Sequence, residues 1–138
     1  MLVYVAGPYA GDTDRNIEQA AQIAAQLWEL GHAVICPHTN TAHFEKRCKV
    51  AYEQWIAGDL NMIARCDALV LTPDGHTSHG VQMERAYAES LGIPVYVAPD
   101  LPTLHAAELC CRESVQAARE TAGRAYRQRL AELAMNST

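Results

Sequence analysis

Apolar and polar residues alternate along the chain in two distinct rhythms. Short continuous apolar runs, "LVYVAG", "AVICP", "ALVLT" and "IPVYVA", are each bounded by glycine, proline or polar residues. That is the pattern of strands buried on both faces. Between them the apolar positions recur at three and four. Ile17, Ala20, Ala21, Ala24, Leu27 and Trp28 predict an amphipathic helix that Gly31 ends, and Ile56, Leu60 and Ile63 predict another, starting near Val50 and closing near Arg65. A third is expected from about Ser78 to Leu91, followed by Gly92. The stretch Thr39–Cys48 is polar and reads as loop or broken helix. Strand and helix alternate throughout, which predicts an α/β fold: a flavodoxin/Rossmann-like, doubly wound parallel sheet of four to five strands.

The end of the chain changes character. Over residues 101–138 a stripe of Leu104, Cys111, Val115, Ala118, Ala122, Ala125 or Tyr126, Leu130 and Leu133 keeps a helical period with charges between. We expect an α/β domain over residues 1–100 and a C-terminal helical extension over 101–138, packed on the domain or on a partner subunit.

Composition narrows the function classes. The 138 residues are 49% hydrophobic and 20% charged, as a single globular domain should be, and the formal charge of −5 argues against a nucleic-acid-coating surface. It leaves room for a small anionic ligand, which a helix N-terminus can hold. The short apolar start has no basic leader and no run reaches membrane-spanning length, so the expectation is a cytoplasmic protein with no membrane partner. The five cysteines, Cys36, Cys48, Cys66, Cys110 and Cys111, form no Cys-x-x-Cys pair and read as reduced thiols. His38, His43 and Cys48 follow one another at fives, a spacing that matches no common zinc pattern, so neither a metal nor a cofactor is expected.

In a doubly wound sheet ligands bind beyond the carboxyl ends of the strands. The loops there are Gly7-Pro8-Tyr9, Pro37-His38, and Pro73 to Ser78. Ser78 stands where an N-cap belongs, and His79-Gly80 offers backbone amides in the first helical turn, together an anion site. Glu84 lies further into that helix and Asp59 in the helix before it. Two carboxylates over one crevice suit displacement at an anomeric carbon, one attacking and the other serving the leaving group. Each also has a plainer reading, Glu84 as a favourable early-helix charge and Asp59 as a solvated helix residue.

Three motifs, in order and at matching spacings, carry a resemblance: "YVAGPYAG", "GDLNMIARCDALVL" with a tryptophan ahead of it, and "SHGVQMERAYAESLGIPV". Over about residues 2–98 the chain resembles the nucleoside 2-deoxyribosyltransferase superfamily, most of all its small bacterial and phage members and the deoxyribonucleoside 5′-monophosphate N-glycosidases. The resemblance implies that Glu84 is a nucleophile forming a glycosyl-enzyme intermediate. It implies that Asp59 positions the sugar and helps protonate the departing base, that Tyr4 stands beside the catalytic carboxylate, and that Gly7-Pro8 approaches sugar and phosphate. Tyr9, His38, Ser78, His79 and Gly80 complete the expected substrate and phosphate contacts. Transferases that use free nucleosides carry a carboxylate six positions before the nucleophile, where this chain has neutral Ser78. Hydrolysis of a (deoxy)nucleoside 5′-monophosphate is therefore expected first, deoxyribosyl transfer second and a non-catalytic nucleotide sensor third. A homodimer or larger homo-oligomer is the superfamily habit. Two departures stand out: Glu84-Arg85-Ala86 lacks the glycine usual after the nucleophile, and His79 occupies the place of an arginine.

Overall fold

The computed structural model describes residues 1–104 and, beyond them, Ala117, Glu120, Thr121, Arg124, Gln128, Arg129, Glu132 and Met135. The chain divides into two compact units, Met1–Thr103 and Leu104–Thr138. In the second unit the eight described residues beyond Leu104 are helical, and Thr121 Oγ1 donates to the Ala117 carbonyl at 3.0 Å. The apolar stripe expected there lies, apart from Leu104, outside the described residues.

The first unit is built from β1 (Leu2–Ala6), α1 (Thr13–Glu29), β2 (Ala33–Ile35), the short α2 (Pro37–Asn40), α3 (Tyr52–Ile63), β3 (Ala68–Leu71), α4 (His79–Ser90) and β4 (Val95–Val97). Its sheet has four strands in the order β2-β1-β3-β4, all parallel. No fifth strand occurs among the described residues. The order reverses direction at β1, as in flavodoxin-like sheets, so right-handed crossovers send α1 to one face and α3 and α4 to the other.

Side-chain alternation along the strands follows from that layering. Val3 and Val5 of β1, with Ala68 and Val70 of β3, pack against Ala20, Ile23, Ala24 and Leu27 of α1. Tyr4 and Ala6, with Leu69 and Leu71, face the opposite way into a cluster with Ile63, Val81 and Ala88. Both faces are covered, which is why the strands read as continuous apolar runs rather than alternating ones. Burying a side chain such as Leu27 or Ile63 contributes about 1.5–3 kcal/mol, and both are fully buried.

Local signals at the element ends hold. Asp12 caps α1 by accepting from the Arg15 amide, and Gly31 takes a φ of 87° just beyond its end. Ser78 caps α4, accepting from the Val81 amide at 3.5 Å, and Gly92 follows at φ 71°. Asp67 ties the start of β1 by accepting from the Leu2 amide at 2.7 Å. No described helix is long and apolar enough to cross a membrane.

Candidate active site

Beyond the carboxyl ends of β1, β2 and β3 lies a cavity of about 400 Å³, within the range of small-molecule sites. Its floor is Tyr4, Ala6, Asp59 and Glu84; its walls include Gly7, Tyr9, His38, Thr41, Glu45, Tyr52, Trp55, Ile56, Ser78 and Gly80.

Glu84 is there because of where it falls on α4. Val81, Glu84 and Ala88 form the buried stripe of that helix, so the carboxylate occupies a core position and is only 7% exposed. A buried charge needs a partner. Tyr4 supplies it: the strand alternation that turns Val3 and Val5 towards α1 turns Tyr4 towards α4, and its hydroxyl donates to Glu84 Oε1 at 2.9 Å. On α3 the residues Tyr52, Trp55, Ile56 and Asp59, spaced at three and four, line the cavity from one helix face.

The electrostatics are those of a chemical site. Burial pushes the Glu84 carboxyl up to about 7, with the Tyr4 hydrogen bond pulling it down and the nearby Asp59 charge adding to the rise. Burial likewise pushes Asp59 up to about 6, against the lowering influence of the Tyr4 hydroxyl. Burial and then the two carboxylates hold the Tyr4 phenol protonated well above its ordinary range. Near neutral pH Asp59 is mostly ionised and Glu84 is poised between its two forms. Carboxylates tuned in this way suit nucleophilic or proton-transfer roles.

The loop after β1 is fastened to the segment after β2. His38, buried, donates through Nε2 to the Pro8 carbonyl at 3.0 Å and meets the Tyr9 ring edge-on at 5.9 Å. A carbonyl only accepts, so Nε2 carries the proton; burial lowers the pKa of the ring and keeps it neutral. Tyr9 in turn accepts from the His43 amide at 2.9 Å and donates to Glu45 Oε2 at 3.1 Å. Gly7 allows the tight floor: a Cβ there would stand 2.6 Å from Thr72 Cγ2 and 2.7 Å from its Oγ1.

The structure thus brings Tyr4, Gly7, Tyr9, His38, Asp59, Ser78, Gly80 and Glu84 to one cavity. Pro8 and His79 do not line it: Pro8 contributes its carbonyl to His38, and His79 is exposed. Gly80 has a packing reason of its own, since a Cβ would meet Tyr52 Oη at 3.2 Å and Ile56 Cδ1 at 3.5 Å. Sequence reasoning missed Thr41, Glu45 and Tyr52. Tyr52 was within reach, lying one turn before Ile56 on the stripe that leads to Asp59.

The walls carry three carboxylates, Glu45, Asp59 and Glu84, and no lysine or arginine among the described lining residues. No three described His, Cys, Asp or Glu side chains gather to hold a metal ion. Nε2 of His38 is taken by the Pro8 carbonyl while its buried Nδ1 has no hydrogen-bond partner, and the Cys48 thiol meets the Phe44 carbonyl. Cys36, Cys48 and Cys66 are free thiols; Cys110 and Cys111 lie outside the described residues.

Residues 1–97 match the family described as "Domain of unknown function (DUF4406)". The chain belongs to the DUF4406 family. No curated protein matches its sequence. Among solved structures this DUF4406 chain is similar to a conserved protein from Enterococcus faecalis V583, with 22% identity, a TM-score of 0.61, and 84% of this chain and 74% of that one covered. It is also similar to a 2-deoxyribosyltransferase from Bacillus psychrosaccharolyticus, with 21% identity, a TM-score of 0.56, and 78% and 80% covered. A third is the CMP N-glycosidase of Clostridium botulinum, with 18% identity, a TM-score of 0.50, and 70% of each chain covered. The DUF4406 chain has the fold of the 2-deoxyribosyltransferases, and two of these three neighbours are named as enzymes.

Proposed function

We propose that this protein is an enzyme that cleaves the N-glycosidic bond of a nucleoside 5′-monophosphate, with Glu84 as the nucleophile. The observation that carries the reading is the buried Tyr4–Glu84 pair on the cavity floor. A carboxylate in that position costs stability, and a site that only bound a nucleotide would gain nothing from it.

In the proposed reaction an ionised Glu84 oxygen attacks the anomeric carbon as the bond to the base nitrogen breaks. The electron pair leaves with the base, which takes up a proton, and a glycosyl ester forms on Glu84. Water then hydrolyses the ester, returning the carboxylate and the free sugar phosphate. Tyr4 holds the carboxylate in line. Asp59 grips the sugar and assists protonation of the base. The 5′-phosphate rests at the start of α4, where Ser78 and the first-turn amides meet it. The folds of a 2-deoxyribosyltransferase and of a CMP N-glycosidase support the glycosidic part of this reading.

One observation favours a second reading, deoxyribosyl transfer between free nucleosides. Three carboxylates and no described lysine or arginine line the cavity, a wall that attracts a dianion less than it does a neutral nucleoside. Nucleosides and their 5′-monophosphates, offered with water or with a second base as acceptor, separate the two by the free or exchanged base released. Ser78→Asp adds the deciding comparison. On the phosphate reading it cuts kcat/KM for the monophosphate far more than for the nucleoside, whereas a mere helix cap is worth about 1 kcal/mol and alters no preference. Release of no base from any substrate would remove both readings and leave a binding module.

A homodimer or larger homo-oligomer belongs to the proposal. What supports it is the exposure of Tyr52 (57%) at the cavity and of Met83 (39%) on the neighbouring helix. Light scattering that finds an active monomer would end it.

A further inference from the structure

We infer that Glu45 reads an exocyclic amino group on the base of the substrate, so that the preferred substrates carry cytosine or adenine rather than uracil, thymine or hypoxanthine. This rests on the glycosidic reading of the cavity and specifies which bases it takes.

The sheet order sets which end of the cavity faces the base. The strand β1 lies between β2 and β3, and its Tyr4 holds Glu84 beneath the middle of the cavity. One end of the cavity is made by Ser78 and Gly80 after β3, the other by Tyr9, Pro37, His38, Thr41 and Glu45 around the loops after β1 and β2. A furanose carries its base at the anomeric carbon and its 5′ arm across the ring. With the anomeric carbon over Glu84 and the 5′ arm at the α4 end, the base falls at the Glu45 end.

At that end Glu45 is the charged group, placed by the Tyr9 hydroxyl on Oε2 at 3.1 Å. Its carboxyl is held below the ordinary range, chiefly by its own backbone amide, with the Tyr9 hydroxyl contributing. An ionised carboxylate is acceptor-only, with about four lone-pair positions; Tyr9 and the residue's own backbone amide take two, and His43 Nδ1 lies 3.8 Å from Oε1. The remaining positions complement an N–H₂ group. Set against a carbonyl oxygen, as on uracil or hypoxanthine, they repel. The Glu45 side chain is half exposed, so the discrimination rests on attraction of an N–H₂ group against repulsion of a carbonyl oxygen, not on a buried group left unpaired.

The test uses matched substrates with the same sugar and phosphate that differ at one position: cytosine against uracil, and adenine against hypoxanthine. Base release is measured for the wild type and for Glu45→Gln, whose amide oxygen can still accept from Tyr9 while its N–H₂ can turn to a carbonyl. The wild type should favour the amino-bearing partner by about tenfold or more in kcat/KM, and the variant should fall towards parity. Equal rates in the wild type, or a preference that persists in Glu45→Gln, overturn the inference, the latter because Glu45 would then only tether Tyr9. If no substrate releases its base, the glycosidic reading fails separately. Titration calorimetry on the same pairs then decides: amine-selective binding lost in Glu45→Gln keeps the inference, and equal or absent binding overturns it.

Discussion

The hydroxyl of Tyr4, on the central strand β1, donates to Oε1 of Glu84 on α4 over 2.9 Å, joining residues 80 positions apart in a buried contact. The strand fixes the donor and the helix stripe fixes the acceptor, so neither needs to reorganise as the carboxylate gives up its charge on attack and regains it on hydrolysis.

Tyr4→Phe should therefore change the acid limb of the pH profile and not only the rate. The Tyr4 hydrogen bond lowers the Glu84 pKa from where burial would put it. Without it the carboxyl ionises at higher pH, so the rise of kcat/KM should move upwards and activity lost at pH 7 should partly return at pH 9. An acid limb that stays in place would separate Tyr4 from the reacting group.

Asp59→Asn should shift the same limb the opposite way, because the Asp59 charge raises the Glu84 pKa. Its rate loss should be greatest for poor leaving bases, if protonation of the base is what Asp59 assists. Equal loss for good and poor leaving groups would restrict Asp59 to holding the sugar.

Stability should carry the mark of the buried carboxyl. Glu84 titrates at about 7 in the folded protein and near 4.3 in an unfolded chain, so the folded state binds its proton more tightly. That contribution is fully present below the unfolded value and is lost as pH rises through 7, on the order of a few kcal/mol. Glu84→Gln keeps an acceptor for Tyr4 but cannot ionise. Its Tm should exceed that of the wild type by a margin that widens from pH 5 to pH 8. A margin independent of pH would mean that Glu84 is ionised throughout.

Much of this architecture was legible in the sequence, for physical reasons that differ by element. The runs that became β1 and β3 are continuous because strands covered on both faces need no polar alternation, while the runs that became the edge strands β2 and β4 are apolar though partly exposed. Gly31, Gly92 and Ser78 marked helix ends because each answers a local backbone requirement. Glu84 carried a stronger signal than its distance from Ser78: it sits between Val81 and Ala88 on the apolar stripe, where an unpaired carboxylate is not tolerated. The segment Thr39–Cys48 was legible as loop or broken helix, but not its contacts. It forms the end of α2, a left-handed His43 at φ 59° and a 3-10 turn over Phe44–Lys46, and it is held by Tyr9 from more than 30 residues away. Such loop-to-loop contacts have no period to read, so Glu45 and Thr41 went unseen. The substrate roles expected for Pro8 and His79 came from motif position alone; the first turns inward to His38 and the second faces solvent.

The most direct test of Glu84 as the nucleophile is release of free base by wild type and Glu84→Gln, under saturating substrate, with the fold of the variant checked by its melting curve. The isosteric amide keeps the Tyr4 contact and the shape of the cavity but removes the attacking oxygen anion. Turnover should fall by about a thousandfold or more, while nucleotide binding is kept or strengthened as the wall loses a negative charge. Turnover within tenfold of the wild type in a well-folded Glu84→Gln would contradict the account.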